Sequence, residues 1–165
     1  MDVIAIGTNQ PAYVEKILPL DYEIYWDYKP LNTNSECGLA LLQKHYGYQA
    51  LGVLMKSGDN SETDASHGII ADILAFHLGE TATCPFFDFL EALAPILTEE
   101  NACCLSFSID WDDEGIPVRL HRASISEAKE RLNCFTVWTE VYYQMEEDMY
   151  ISCNEYPLIF QLYNE

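Results

Sequence analysis

The sequence predicts a single α+β domain spanning residues 1–165, with a mostly antiparallel sheet and several packed helices. Three observations lead there. Two segments, near residues 104–111 and 135–143, alternate apolar and polar side chains with the period of a half-buried strand. Two capping-box spacings, Thr33 with Glu36 and Ser124 with Glu127, mark helix starts. The order is strand, helices, then mostly strands, which is not the regular alternation of a parallel βαβ protein. With 49% of residues apolar, the chain can bury a substantial core.

Each element has a local reason. Residues 3–6 form an apolar run read as the first strand. Residues 22–28 follow as a second strand, in which Tyr22, Ile24, Trp26 and Tyr28 alternate with Glu23, Tyr25 and Asp27. After the Thr33 cap, Leu39, Leu42 and Tyr46 share a helix face, and Gly47 suits a left-handed stop. Thr63 or Asp64 is placed to cap a helix carrying Ile70, Ile73, Leu74 and His77, ended by Gly79. Pro85 fits the first turn of a helix containing Phe86, Phe89, Leu90 and Leu93, and Pro95 kinks or stops it.

Leu105, Phe107, Ile109 and Trp111 then alternate with Cys104, Ser106, Ser108 and Asp110. Residues 112–115 read as a turn and 116–121 as the returning strand of a hairpin, with Pro117 placing it at an edge or at its own start. The Ser124 box opens a helix with Ala128 and Leu132. Alternation over 135–143, a turn at Glu146-Glu147-Asp148, and strands over 149–153 and 158–163 suggest an antiparallel meander.

Charge is the strongest functional signal. The formal net charge is −19, and nineteen of the 27 carboxylates lie in two tracts free of lysine and arginine, residues 57–118 and 132–165. Aromatics such as Tyr22, Tyr25, Trp26, Phe86, Trp111 and Trp138 lie in or beside acidic segments of the chain, unlike an acidic disordered tail. Such a surface opposes direct binding to nucleic acid or an anionic membrane and favours a basic protein partner. Solubility alone is the alternative explanation. The start of the chain lacks a basic signal-peptide region, and no apolar stretch approaches the roughly 20 residues of a membrane span. The reading is a soluble cytoplasmic protein whose six cysteines are buried thiols rather than a disulfide framework.

Motifs for chemistry are incomplete. Asp110, Asp112, Glu114 and Gly115 match the first half of a calcium loop, but its bidentate glutamate position holds His121. A solvated turn and an acidic contact for a basic partner are the competing readings of this segment. His45, His67, His77 and His121 show no metal or catalytic spacing, and there is neither a Cys-x-x-Cys pair nor a phosphate-binding loop. Cys103 and Cys104, adjacent in a strand, should point to opposite faces. No catalytic, cofactor or metal residues are assigned. The candidate partner-binding residues are Asp110, Asp112, Asp113 and Glu114; Glu146, Glu147 and Asp148; and Glu23, Tyr25 and Asp27 on the second strand. An edge strand protected by charge is the alternative for the last group.

Taken together, the small size, the −19 charge, aromatics set among acids and the lack of a complete catalytic motif resemble the immunity proteins of bacterial polymorphic-toxin and contact-dependent growth inhibition systems. The resemblance is one of overall character, so it transfers no residue. It implies a non-enzymatic protein, without cofactor, that neutralises a cognate basic toxin such as a nuclease domain by covering its active site or an adjacent surface. A DNA mimic that occupies the basic groove of a nucleic-acid-binding protein is one alternative. A hydrolase using carboxylates, or Cys104 with a histidine, is another.

Overall fold

The computed structural model describes residues 2–26, 48–58, 66–97, 103–109, 119–132 and 158–164. Its elements are β1 (Asp2–Thr8), α1 (Pro11–Lys16), β2 (Tyr22–Trp26), β3 (Ala50–Lys56), α2 (His67–His77), α3 (Pro85–Ala92), a 3₁₀ turn (Ala94–Ile96), β4 (Cys103–Ile109), β5 (Arg119–Ser124), α4 (residues 125–132) and β6 (Leu158–Tyr163). The strands form one sheet in the order β2-β3-β1-β4-β6-β5. Every neighbouring pair is antiparallel except β5 with β6, which run parallel. The fold is α+β, as the element order predicts.

The helices lie against one face of the sheet. Ile4, Ile6, Leu54, Leu105 and Phe160 from the strands join Ile69 and Ile73 of α2, Phe86, Phe89 and Leu90 of α3, and Ala128 and Leu132 of α4 in one buried cluster. Ala5, Val53 and Met55 point to the opposite face and are buried as well. There the Tyr48 ring lies so close to Gly7 that an added Cβ would stand 2.6 Å from Tyr48 Cδ2. Glycine is required because no side chain fits beneath that ring. Burial on both faces explains why β1 and β3 read as apolar runs without alternation.

Local signals place the start of α4, the start of α3 and the end of α2, whereas the N-cap position of α2 is Ser66 rather than the expected Thr63 or Asp64. The Ser124 N–H donates to Glu127 Oε2 at 2.9 Å, and the Glu127 N–H donates to Ser124 Oγ at 3.2 Å, completing the expected capping box of α4. Pro85 opens α3, and the chain leaves it through the 3₁₀ turn containing Pro95. Gly79, at φ 75°, ends α2. Its N–H donates to the Phe76 carbonyl and that of Glu80 to the Ala75 carbonyl, the paired bonds of a Schellman stop.

The expected 105–121 hairpin is not formed. β4 pairs with β1 and β6, and β6 stands between β4 and β5. β6 therefore takes the place reserved for the returning strand and pairs parallel with β5, while the meander expected over 135–163 lies mostly outside the described residues. Among the described strands β5 is terminal in the sheet order, and Pro117 itself lies outside the described residues. The helix start after Thr33 and the strands over 135–143 and 149–153 fall outside the described residues.

Ser66 precedes α2 at the N-cap position, but its hydroxyl does not cap the helix. The Ile4 N–H donates to Ser66 Oγ at 2.8 Å, and Ser66 Oγ donates to the Leu54 carbonyl. Ile4 and Leu54 are direct partners in the β1–β3 ladder, so the hydroxyl forms a rung between two strands. Replacing Ser66, which is fully buried, leaves two backbone groups without that partner. Ser66→Ala is expected to lower stability by about 2–6 kcal/mol, from a desolvation penalty of ~1–3 kcal/mol for each of the two buried orphans. Denaturant unfolding beside the exposed Ser126→Ala control checks this; equal midpoints for the two variants would contradict the bridging role.

Candidate functional site

Of the sequence-derived contact residues, the structure places Glu23 and Tyr25 together on β2, at one end of the sheet. Both are exposed and point away from the helical layer, while Tyr22, Ile24 and Trp26 face inward. The alternation therefore assigns the faces correctly. Asp27, Asp110, Asp112, Asp113, Glu114, Glu146, Glu147 and Asp148 lie outside the described residues, so the calcium-loop segment and the two acidic turns do too.

The backbone phase of β2 follows from one bond. Tyr22 is opposite Lys56, which sets Asp21 opposite Ser57, and the Ser57 N–H donates to the Asp21 carbonyl at 2.7 Å. Hydrogen-bonded pairs alternate in an antiparallel ladder, so Glu23 and Tyr25 also bond toward β3. Ile24 and Trp26 turn their N–H and C=O groups away from β3, to the outer edge. Tyr22 is consistent with this phase, since its N–H donates instead to the Pro19 carbonyl at 3.0 Å in the preceding turn. The same alternation aims the Leu54 carbonyl at β1, where the Ser66 hydroxyl meets it.

A polar clasp fixes β2 to the helical layer. Tyr22 Oη donates to Asp72 Oδ2 at 2.9 Å, and Lys56 Nζ contacts Asp72 Oδ1 at 2.7 Å. Asp72 belongs to α2, so one carboxylate joins β2, β3 and that helix. Burial, then the Asp72 charge and the bond to it, push the Tyr22 phenol well above its ordinary range. Gly52 lets β2 come close, since a Cβ there would stand 2.5 Å from Ile24 Cγ2.

The sequence reading missed how this fold neutralises part of the first acidic tract. Lys56, immediately before it, binds Asp72, while Lys129 of α4 binds Glu91 and lies 5.8 Å from the centre of the Phe87 ring. The signal lay outside the tract: one lysine at its border and one on a later helix, each brought beside a carboxylate by the fold. Among the described residues three large apolar side chains are strongly exposed, Leu20 at 99%, Tyr25 at 54% and Leu78 at 48%. Two of these fall at or just before β2, which distinguishes that edge from the rest of the described surface.

Other candidate chemistry does not assemble among the described residues. His67 and His77 are exposed at opposite ends of α2, and no group of three potential metal ligands occurs. Cys84 and Cys103 are both buried. Burial raises the Cys84 pKa against the opposing influence of the Phe87 and Phe86 amides. A cleft of about 140 Å³ lies between Ala94, Ser124, Ser126, Tyr163 and Asn164, where the α4 capping box already occupies the Ser124 hydroxyl. No described helix is long and apolar enough to cross a membrane.

Neither a family model, a curated protein nor a solved structure matches this chain.

The clasp has a consequence at high pH. In the unfolded chain Tyr22 ionises near about 10, whereas the folded protein holds its proton to higher pH. The unfolded state therefore loses the proton first, and this contribution is complete below pH ~10 and declines above it. Tyr22→Phe should show a shallower alkaline loss of stability than the parent protein. Denaturant midpoints across that range test this, and parallel curves for the two proteins would contradict the assigned protonation.

Proposed function

We propose that this is a cytoplasmic immunity protein that binds and neutralises a cognate basic toxin domain, such as a nuclease, by covering its active site or an adjacent surface. The observation that carries this reading is the joining of a −19 chain to a folded edge that presents Glu23 beside exposed Tyr25. Charge steers a cationic partner into encounter, and an aromatic among the acids adds contact area and a face for arginine. Inhibition by occlusion needs complementarity of surface rather than a reactive group. The function is accordingly binding, without cofactor or turnover.

A DNA mimic would use unpaired carboxylates arranged like duplex phosphates. The internal pairing of Asp72 and Glu91 favours instead a mixed acidic and aromatic surface. The two readings predict different capture results. Immobilised protein should retain one basic toxin domain from lysate of the source cell at low salt, lose part of it at high salt, and block its activity stoichiometrically. Glu23→Lys should slow association about tenfold at low salt and flatten its salt dependence. Retention of many DNA-binding proteins would replace immunity with mimicry, and thiol- or metal-dependent turnover by the purified chain would overturn the binding reading.

A further inference from the structure

We infer that the outer edge of β2 is a docking line for an extended basic segment, which adds to the sheet as a further strand through the outward backbone groups of Ile24 and Trp26. This rests on the reading that the partner is basic, and it specifies how such a partner is held. Four observations converge on the edge. β2 is terminal in the strand order, and no described strand pairs with its outer side. The Asp21–Ser57 bond fixes the phase that sends two residues' donors and acceptors outward. Leu20 and Tyr25 supply exposed apolar surface beside that line, at 99% and 54% exposure. Asp21 and Glu23 are exposed there, while the nearby Lys56 is engaged by Asp72.

The charge chooses the occupant. Natural edge strands discourage pairing with proline, lysine or a bulge. Residues 22–26 contain neither proline nor lysine and keep a regular register along β3. A second copy docking through the same edge would set its own Glu23 and Asp21 near those of the first, so like charge opposes self-pairing. A strand with cations at alternate positions meets the opposite situation. Its cations lie beside Glu23 and the Tyr25 ring on one face, and its apolar side chains lie beside Ile24 and Trp26 on the other. Backbone bonds hold such a segment while the acidic face selects its sign.

The test is amide hydrogen exchange on the full chain with three short peptides: one alternating arginine with valine, one with glutamate replacing arginine, and one with proline interrupting the arginine peptide. The arginine–valine peptide should slow exchange of the Ile24 and Trp26 amides about tenfold or more, with little change at Glu23 and Tyr25. The other two peptides should not do so, and Glu23→Lys should abolish the effect. Binding with protection elsewhere would overturn this edge as the docking line while leaving the basic-partner reading intact. No binding of the arginine peptide at low salt would count against both. Slowing that grows with protein concentration in the absence of peptide would replace the basic segment with a second copy, whose other sheet edge carries the exposed Arg122.

Discussion

The Ser66 hydroxyl is the constraint on which the arrangement of this sheet depends. A strand rung normally joins an N–H directly to a carbonyl, but here a buried hydroxyl accepts from Ile4 and donates to Leu54. The residue that begins α2 is thereby pinned between two central strands. Six residues later, Asp72 reaches Lys56 and Tyr22, only two positions along β3 from Leu54. Six helical residues rise about 9 Å and two strand residues advance about 7 Å, so the two contacts can pin α2 to β3 at two separate points. Tyr22 then fixes the edge strand relative to the same helix.

Acidity on this chain has two roles that a linear reading merges. Asp72 and Glu91 are structural, each held by a lysine from outside the acidic tract. Asp88 lies in the first turn of α3, where the helix dipole favours a negative charge. Glu23, by contrast, is displayed on the face of β2 away from the helical layer. Sequence charge therefore overstates the surface available for steering a partner, and the fold determines which carboxylates remain for it.

What could be read in advance follows the distance over which each signal acts. The Ser124–Glu127 box, Pro85 and Gly79 are decided within a few residues and were legible. The alternation of 22–26 likewise assigned Glu23 and Tyr25 to the outward face. β3 carried no such signal, because burial on both faces removes the alternation from Val53, Leu54 and Met55. The hairpin expectation failed because residues 158–163, remote in sequence, compete for the β4 edge. The sequence offered Thr63 or Asp64 as the cap of α2 and gave no sign of Ser66, whose role depends on partners 62 and 12 positions away.

A sealed centre and an available edge make opposite demands on two isoleucine amides in the free protein. Native-state hydrogen exchange at Ile4 and Ile24, followed against denaturant, tests this most directly. Ile4 is expected to exchange only through global unfolding, with a strong denaturant dependence, and Ile24 to exchange rapidly and nearly independently of denaturant. Fast exchange at Ile4, or protection of Ile24 to the global limit without a partner, would contradict it.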